Sequence, residues 1–472
     1  MTEHFDIAVI GTGPGGYVAA LKAAQMGAKV AAVEASRLGG ACLNNGCIPS
    51  KVLLASAELM YRFGHASDLG VKVEGDVSID WAAVQKRKDK IIKTLRGGIG
   101  RLFAARNVRL FSGRAGLNGP GKVLVDDGKG SKEEFTGKKV IVAVGSVPIR
   151  FPGWPDDPNR VCTTDEALHW ATLPKSVLIV GGGVIGCEFA CMMQPLGVNV
   201  VIVEMMPHLL PGMDEQIAET IEKIFTKRGI TVYTSTKVEE LATTGSGCRA
   251  LLTNGKIVET ERTLVSVGRR ANTADIGLET VGLETDRGFI RVNDRMETAV
   301  QGIYCVGDAN GRCLLAHAAS AQGVSAVKNA LGYDEAFTAP IPGAVYTFPE
   351  IGSVGRTEQE ARAEGIPLSI GAFPIGYLGK AMAVNDTEGF AKVLRHRETG
   401  DLLGVHIIGH NATECIAAAV ALLHKKVKVE EVAEVVVAHP TIGESLKEAA
   451  EDALGAALHL PPRRILRVMA GT

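Results

Sequence analysis

One structural unit occurs twice in the chain, and this repeat constrains the fold more than any other feature. Each copy has an apolar strand, a G-x-G-x-x-G turn, a helix and a second apolar strand that ends in glutamate; the turns are residues 11–16 and 181–186, and the acids are Glu34 and Glu204. The acid follows the first glycine by 23 residues in both copies (34 − 11 and 204 − 181), and the copies are offset by 170 residues (181 − 11). In such a turn the first glycine makes the bend, the second lets a pyrophosphate approach the backbone, and the third lets the helix pack on the strand. The sequence therefore predicts two dinucleotide-binding sites in an α/β fold.

A glycine-rich stretch with two cysteines follows the first copy. Residues 39–51 have the sequence GGACLNNGCIPSK, with Cys42 and Cys47 separated by four residues. Pro49 suits the first turn of a helix, so Cys47 is expected just before a helix N-terminus, where amide groups and the macrodipole lower the pKa of a thiol. A close cysteine pair can also be two packed apolar residues or half of a zinc site, although no further Cys or His lies at short spacing. Redox chemistry and packing both remain open on spacing alone.

Size, composition and charge narrow the class of protein. A chain of 472 residues should divide into about three or four domains. The net charge of −1 gives no argument for binding to nucleic acid or membrane. The longest apolar run, residues 416–423, is far shorter than the roughly 20 residues that span a bilayer, and the N-terminus passes directly into a strand pattern without a signal segment. We therefore expect a cytoplasmic protein.

The nine cysteines are scattered, which argues against an extracellular disulfide scaffold. Only Cys42 and Cys47 combine short spacing with a glycine-rich setting. Cys187 and Cys191 lie four residues apart on a predicted helix, where packing is the favoured interpretation.

Residues 39–51 resemble the active-site disulfide of the pyridine nucleotide–disulfide oxidoreductases, and the Cys-Ile-Pro-Ser-Lys ending is similar to that of the dihydrolipoamide dehydrogenases within this family. The resemblance continues through both nucleotide motifs to His439 and Pro440, so it covers nearly the whole chain. It implies an α/β fold with two Rossmann-like dinucleotide-binding domains plus a C-terminal α+β dimerisation domain. The expected domains are an FAD-binding domain (1–150), an NAD-binding domain (151–275), a central domain that completes the FAD site (276–345) and an interface domain (346–472).

The two nucleotide sites are expected to hold different cofactors. The disulfide loop follows the first copy, and a flavin is the group that can exchange electrons with it, so FAD is assigned to the first site and a nicotinamide to the second. Glu204 would repel a 2′-phosphate, and Met205, Met206 and Pro207 supply no arginine to bind one. The nicotinamide is therefore expected to be NAD rather than NADP.

The expected site residues come from these motifs and from the resemblance. No metal ligand is expected, and the predicted catalytic residues are Cys42, Cys47, His439 and Glu444. The predicted cofactor-binding residues are Gly11, Gly13, Gly16, Glu34, Lys51, Ala115, Gly145, Ser146, Gly181, Gly183, Gly186, Glu188, Glu204, Val238, Gly268, Asp308, Leu314, Leu315, Ala316 and His317. Family members carry a Thr-Gly-Ser or similar turn beside the flavin where this chain has residues 144–146, so Val144 is a mild departure. The resemblance places Asp308 on the ribityl chain of the flavin and residues 314–317 against its ring.

The resemblance also implies a reaction. His439 would take a proton from dihydrolipoamide, the substrate thiolate would attack Cys42, and Cys47 would pass the electron pair to FAD and so to NAD⁺. Glu444 would orient His439, both would reach the disulfide of the other subunit of a homodimer, and Lys51 would stabilise negative charge on the flavin. Thr441 and Glu444 also have the spacing of a capping box, so a structural role can coexist with a catalytic one.

Residues 80–106 predict an amphipathic helix with a basic face. The favoured interpretation is a solvated face, and docking of an acidic carrier domain is the alternative. The cations are Lys86, Arg87, Lys88, Lys90, Lys93, Arg96 and Arg101, and the apolar residues near helical spacing are Val84, Ile91, Leu95, Ile99 and Leu102.

Several rival functions remain. Glutathione reductases carry a lysine where this chain has Ser50 and arginines near the position of Met205, while mercuric reductase and the large thioredoxin reductases need a C-terminal redox group, which residues 467–472 lack. A flavin-bearing scaffold or redox sensor without turnover is the alternative from another class. The implied partners are a second copy of the chain and the lipoyl domains and acyltransferase core of a 2-oxo acid dehydrogenase complex, or the H-protein of glycine cleavage.

Overall fold

The first glycine turn lies in a mixed sheet built by the N-terminal part of the chain. The computed structural model describes residues 2–461, so residue 1 and residues 462–472, which include the end of the predicted interface domain, lie outside the described residues. The elements of this part are β1 (His4–Ile10), α1 (Pro14–Gln25), β2 (Val30–Glu34), α2 (Gly40–Asn45), α3 (Cys47–Gly64), α4 (Trp81–Ala105), β3 (Arg109–Ser112), β4 (Arg114–Leu117), β5 (Lys122–Asp126), β6 (Lys132–Val142) and β7 (Ser146–Pro148).

The sheet has the order β3-β2-β1-β6-β5-β4. β1 pairs in parallel with β2 and β6, which brings the carboxyl end of β1 and the turn after it to the edge where β2 also ends. β4 and β5 extend the sheet in antiparallel fashion. The buried strand predicted at 139–145 is the second half of the longer β6, whose last three residues are buried.

The second glycine turn repeats this arrangement in a parallel sheet of order β11-β10-β9-β15-β8. The predicted strand 176–180 is β9, and the strand that ends before Glu204 is β10. A separate three-stranded sheet, β12-β13-β14, packs beside it, and β16 pairs with β7 of the first part. The elements are β8 (Val161–Cys162), α5 (Thr164–Ala167), β9 (Ser176–Val180), α6 (Val184–Met193), β10 (Asn199–Val203), α7 (Glu215–Lys227), β11 (Thr231–Tyr233), β12 (Val238–Thr243), β13 (Cys248–Leu252), β14 (Ile257–Thr260), β15 (Arg262–Val265) and β16 (Arg269–Ala271).

The stretch predicted as a central domain returns to the first sheet. It contributes β17 (Ile303–Cys305), which pairs in parallel with β6, and α8 (Ala316–Ala330). The backbones of α1 and α8 approach closely, because a Cβ added at Gly323 would lie 2.5 Å from the carbonyl oxygen of Gly15. Side chains at this contact would separate the two helices.

The C-terminal part is an antiparallel sheet of order β18-β19-β22-β21-β20 with helices packed on it. With the two preceding Rossmann-like units it confirms the α/β fold class with a C-terminal α+β unit. Its elements are β18 (Gly343–Val345), β19 (Glu350–Gly355), α9 (Glu358–Ala363), β20 (Leu368–Pro374), α10 (Gly379–Ala383), β21 (Phe390–His396), β22 (Leu402–Gly409), α11 (Ala412–His424), α12 (Val429–Ala433) and α13 (Glu444–Ala453).

The basic helix α4 forms where it was predicted, but its buried face is different. Leu95 and Leu102 are 43% and 44% exposed, whereas Ile92 and Phe103 are buried. Lys88, predicted on the solvated face, is only 1% exposed. Its ammonium group donates to Gln85 Oε1 at 2.5 Å and to the carbonyl oxygen of Leu168 at 2.9 Å, and these hydrogen bonds compensate for its burial.

Two other expectations concern buried cysteines and membrane spans. Cys187 and Cys191 are buried in the core of the second nucleotide unit, which confirms the packing interpretation. Burial raises the pKa of Cys191 to about 12, so it carries no thiolate near neutral pH.

No helix within residues 2–461 has the length and apolar character needed to cross a bilayer.

A buried ionic cluster joins the second nucleotide unit to the C-terminal sheet. Lys392 Nζ lies 2.9 Å from both oxygens of Asp214 and 2.7 Å from Glu358 Oε2, and Lys392 and Asp214 are 1% and 0% exposed. Burial would raise the pKa of Asp214, but the hydrogen bond and charge of Lys392 outweigh burial and keep that pKa below its usual value. The pKa of Glu358 is lowered as well, so both carboxylates of the cluster are ionised at neutral pH.

Replacing Lys392 with methionine should lower the free energy of unfolding by about 3–5 kcal/mol, because the carboxylate of Asp214 would remain buried without its cation, whereas Glu358 would keep its ion pair with Arg362. Lys223→Met is the control: Lys223 pairs with Glu219 at 3.5 Å with a side chain 78% exposed, and its loss should cost less than about 1 kcal/mol. Denaturant midpoints of the two variants measure the difference. Equal midpoints would contradict the role given to the buried cluster.

Candidate active site

Both glycine turns and the cysteine pair line one continuous cavity of about 1760 Å³. A single small-ligand site usually has about 300–1,000 Å³, so the cavity has room for more than one such ligand. Most of the predicted site residues line it: Gly11, Gly13, Glu34, Cys42, Cys47, Lys51, Ala115, Gly145, Ser146, Gly181, Gly183, Glu188, Glu204, Val238, Gly268, Asp308, Leu314, Leu315, Ala316 and His317. Gly16, Gly186, His439 and Glu444 do not line it.

The glycines of each turn divide into structural and ligand-facing positions. A Cβ at Gly16 would lie 1.9 Å from the carbonyl oxygen of Gly11, and one at Gly186 would lie 2.0 Å from that of Gly181, so these glycines let each helix pack on its turn. A Cβ at Gly183 would meet no atom within 4 Å. The middle glycine therefore leaves an open cradle at a helix N-terminus, which fits a pyrophosphate.

The two predicted acids are held by backbone amide groups. Glu34 accepts hydrogen bonds from the N–H of Thr12 at 3.1 Å and of Ser36 at 2.8 Å. Glu204, only 5% exposed, accepts from the N–H of Gly182 at 2.7 Å and of Met206 at 2.8 Å. These bonds hold both carboxylates in the cavity wall beside their glycine turns, where ribose hydroxyls could reach them.

The cysteine pair lies on two consecutive helices rather than on a loop. Cys42 is in the short α2, and Cys47 is the first residue of α3, so the expected loop geometry was wrong for Cys42. Both residues are free thiols in contact with each other. The glycine at 46 lets two helices meet within one residue. No group of three or more His, Cys, Asp or Glu side chains within residues 2–461 is arranged to hold a metal ion.

The two thiols have opposite acidities. The hydrogen bond from Cys42 lowers the pKa of Cys47 to about 7; burial opposes this effect, and the charge of Lys51 adds to it. The same hydrogen bond, together with burial, raises the pKa of Cys42. The lowered pKa of Cys47 agrees with the prediction, although the neighbouring thiol, more than the helix N-terminus, causes it.

Lys51 connects the cysteine helix to the second nucleotide unit. Its ammonium group donates to both oxygens of Glu188 on α6 at 2.9 and 2.8 Å. Glu188 also accepts from the N–H of Tyr346 at 3.0 Å, and the ring of Tyr346 lies 4.4 Å from Lys51 Nζ. Sequence reasoning named Lys51 and Glu188 separately but missed Tyr346, because no motif marks it.

A second polar group surrounds Asp308. Ser146 Oγ donates to Asp308, and Arg269 Nε donates to Ser146 Oγ at 2.7 Å. Arg269 was missed as a site residue; its place directly after Gly268 at a strand start was the available signal. Nearby, residues 314–317 bring the N-terminus of α8 to the cavity, and His317 Nε2 lies 2.8 Å from the carbonyl oxygen of Pro342.

His439 and Glu444 form a pair on the protein surface, away from the residues that line the cavity. His439 Nδ1 lies 2.8 Å from Glu444 Oε1, and the side chain of His439 is 75% exposed. Burial would raise the pKa of Glu444, but hydrogen bonds from the N–H of Thr441 and from His439 outweigh it and lower that pKa. The pair is therefore a neutral histidine with its Nδ1–H donated to a carboxylate, or an ion pair after protonation.

The predicted capping box at Thr441 forms only in part. Glu444 Oε2 accepts from the N–H of Thr441 at 2.8 Å, as a capping box requires, but Thr441 Oγ1 donates to the carbonyl oxygen of Ala438. The helix α13 begins at Glu444 itself, with Gly443 preceding it. The Glu444 carboxylate therefore accepts hydrogen bonds from His439 and from the backbone of Thr441, and it does not cap the N-terminus of α13.

When the reduced protein with FAD bound is titrated with base, the first thiolate should form with a midpoint near pH 7. The ultraviolet absorbance of the thiolate, recorded as a difference spectrum, measures this midpoint. Lys51→Met should move the midpoint upward, because it removes a cation and leaves Glu188 unpaired. Lys223→Met, far out on α7, is the control and should leave the midpoint unchanged. Cys47→Ser should abolish this thiolate. A first thiol that titrates near the ordinary value of about 8.5 would contradict the assignment.

Comparison with known proteins shows extended similarity. Residues 5–323 match the family described as pyridine nucleotide-disulphide oxidoreductase, and residues 341–450 match the dimerisation domain of that family. The chain is 39% identical over 469 residues to a dihydrolipoyl dehydrogenase of Chlamydia muridarum, covering 98% of this chain and 100% of the relative. It is also 39% identical over 474 residues to a dihydrolipoyl dehydrogenase of Bacillus subtilis, covering 97% and 100%.

Solved structures share the same architecture. LpdA from Mycobacterium tuberculosis superposes with a TM-score of 0.89 at 28% identity, covering 95% of this chain and 99% of that chain. The HOCl-induced flavoprotein disulfide reductase RclA from Escherichia coli has a TM-score of 0.84 at 25% identity, covering 94% and 99%. The two glycine turns, the paired cysteines and the full-length similarity lead to one conclusion: the chain belongs to the pyridine nucleotide-disulphide oxidoreductase family.

Proposed function

We propose that this enzyme oxidises dihydrolipoamide to lipoamide and reduces NAD⁺ to NADH. The observation that carries the proposal is the position of Cys42 and Cys47 in the cavity that both glycine turns line. An electron pair from a dithiol can cross such a cavity only through a carrier between the sulfurs and the nicotinamide. The relatives with 39% identity over almost their whole length are dihydrolipoyl dehydrogenases, which supports this substrate.

The cofactors are FAD and NAD. We assign FAD to the first glycine turn (residues 1–150, completed by 276–345) and NAD to the second (residues 151–275), with residues 346–472 as the interface domain. FAD, when bound, supplies a two-electron carrier between the cysteine pair and NAD. The open space at Gly183, the turn at Gly13, where a Cβ would lie 3.8 Å from Gly40 Cα, and the carboxylates of Glu34 and Glu204 fit the pyrophosphates and riboses of two dinucleotides. Glu204 would repel the extra phosphate of NADP.

The unequal thiol acidities support the division of labour between the two cysteines. In the oxidised enzyme a substrate thiolate attacks one sulfur, the Cys42–Cys47 bond breaks, and the other sulfur leaves as a thiolate. The thiol of lower pKa leaves faster, and Cys47 is that thiol. Attack therefore falls on Cys42. The second substrate thiolate then attacks the mixed disulfide, which releases lipoamide and leaves both cysteines reduced.

The acid and base for this exchange is His439. Because Nδ1 donates to Glu444, Nε2 is the nitrogen that can accept a proton from the substrate thiol. The ionised Glu444 stabilises the imidazolium that forms. Since the pair lies outside the cavity of its own chain, we propose that the partner subunit's His439 reaches Cys42 in a homodimer, in agreement with the dimerisation-domain match.

A glutathione reductase-like activity is the second candidate, and two residues weigh against it. Ser50 Oγ donates to the carbonyl oxygen of Cys47 at 3.1 Å, so this position carries no cation for an acidic substrate. Met205, beside Glu204, is 59% exposed and provides no positive charge for a 2′-phosphate. Both observations favour a neutral thiol substrate and NAD.

In this proposal the dihydrolipoyl group is attached to a partner protein. We propose that the partner is a lipoyl domain of a 2-oxo acid dehydrogenase complex, together with the acyltransferase core of that complex, or the H-protein of glycine cleavage. The cytoplasmic location stays a prediction.

The purified enzyme should form NADH from dihydrolipoamide and NAD⁺ with a kcat/KM at least about a hundredfold above that for glutathione disulfide with NADPH. The reason is that Ser50 offers no cation to an acidic substrate and that Glu204 would repel the 2′-phosphate of NADPH. Steady-state absorbance assays of both reactions measure the ratio. A preference for glutathione disulfide and NADPH would favour the second candidate. Absence of turnover with either pair would favour a redox sensor.

His439→Ala should slow the oxidation of dihydrolipoamide by roughly two to four orders of magnitude through loss of the general base. His459→Ala is a matched control, because His459 is also exposed and its Nδ1 lies 2.8 Å from Glu448 Oε1 on the same helix. Cys42→Ser should abolish turnover while FAD stays bound. Stopped-flow kinetics of the thiol reaction provide the measurement, and a near-normal rate in His439→Ala would overturn the role of this residue.

A further inference from the structure

A second, smaller cavity lies behind the cysteine helices, against α4. It has a volume of about 420 Å³, and its lining includes Arg37, Lys93 and Arg96, of which Arg37 also lines the larger cavity. None of these three cations forms an ion pair within residues 2–461. Asp89 is the one carboxylate in the lining, and its oxygen lies 3.4 Å from Lys88 Nζ, so the lining carries a formal charge of +2 from three cations and one carboxylate.

Arg96, which lines this cavity, has one donor without a partner within residues 2–461. One terminal nitrogen donates to Asn44 Oδ1 at 2.7 Å, which fixes the guanidinium plane. The Nε of Arg96 is buried and has no hydrogen-bond partner within residues 2–461. A buried donor without a partner is uncommon in folded proteins, and a ligand oxygen is one group that could satisfy it.

His169 forms a polar part of the cavity wall, and its hydrogen bonds define the tautomer of its ring. Lys88 Nζ lies 3.0 Å from His169 Nδ1, and an ammonium group can only donate, so Nδ1 accepts and the hydrogen is on Nε2. Burial, together with the charges of Lys88 and Arg37, lowers the pKa of His169 and keeps the ring neutral. Its Nε2 lies 3.4 Å from Asn45 Oδ1.

The two asparagines connect this cavity to the redox pair. Asn44 and Asn45 stand between Cys42 and Cys47 in the chain, and Asn44 also donates to the carbonyl oxygens of Leu38 at 3.1 Å and Gly40 at 2.8 Å. A ligand that binds Arg96 or His169 would therefore change the hydrogen bonds of Asn44 and Asn45, which lie in the segment between the two cysteines.

We propose that this cavity binds a phosphate group, either as inorganic phosphate or as a small phosphomonoester. A guanidinium held by Asn44, with an Nε that lacks a partner within residues 2–461, and the exposed cations Arg37 and Lys93 match the several acceptor oxygens and the double charge of phosphate. The cavity volume lies within the range of small-molecule sites, so the cavity has room for a small phosphomonoester as well as for inorganic phosphate. Because Arg96 holds Asn44, occupation of the cavity affects the reactivity of the cysteine pair.

The test is calorimetric titration of the enzyme with FAD bound, so that the flavin pyrophosphate site is filled, at constant ionic strength. Inorganic phosphate and glycerol 3-phosphate are titrated separately, and their affinities distinguish the two sources of the phosphate group. Arg96→Gln and Lys93→Gln should each weaken binding by about tenfold or more. Lys93 is exposed and has no partner within residues 2–461, so its variant separates loss of binding from loss of folding.

Arg101→Gln is the control, because Arg101 is exposed on α4 and lies outside the cavity lining. It should bind phosphate as the parent enzyme does. The proposal is overturned if neither phosphate compound binds, if acetate binds as tightly as phosphate, or if Arg101→Gln loses as much affinity as Arg96→Gln. A phosphate-dependent change in the rate of dihydrolipoamide oxidation that disappears in Lys93→Gln would support the link to the cysteines. An unchanged rate at saturating phosphate would contradict that link.

Discussion

The ion pair between Lys51 and Glu188 holds the two nucleotide-binding units together at the cysteine helix. Lys51 belongs to the helix that begins at Cys47, and Glu188 belongs to the helix behind the second glycine turn. Glu188 also accepts a hydrogen bond from the backbone of Tyr346, at the start of the C-terminal part. Loss of either charge would leave the other partly buried and uncompensated, so the contact resists separation. Three distant segments therefore meet next to the sulfur atoms.

The chemistry of the cysteine pair depends on an asymmetry created by that environment. Cys42 and Cys47 have the same side chain, but one donates a hydrogen bond and the other receives it, close to the charge of Lys51. The recipient is the better leaving group. The proposed base, His439, lies instead in a surface pair with Glu444. The match to the dimerisation domain agrees with the proposal that a second subunit brings this histidine to the cysteine pair.

The helix α4 shows why residue type alone is a weak guide to environment. Its cations were predicted to form one solvated basic face, and five of the seven are exposed, whereas Lys88 is buried and Arg96 is half-buried. Lys88 is buried among hydrogen-bond acceptors, Lys93 and Arg96 line a small cavity, and Lys86 and Arg101 are exposed. Burial of the lysine is tolerated because its donors meet a carbonyl, an amide oxygen and an imidazole nitrogen.

The amino-acid sequence by itself determined the two strand–turn–helix units, the positions of Glu34 and Glu204 and the close cysteine pair. These features depend on backbone geometry within about 30 residues, and glycine spacing reports that geometry directly. Only the tertiary structure decided that Lys51 meets Glu188, that Arg269 supports Ser146 beside Asp308, that Leu95 and Leu102 face outward and that His439 stands apart from the cavity. Lys51 and Glu188 are 137 residues apart, and the packing of whole units, which no local pattern encodes, determines which side chains meet over such distances.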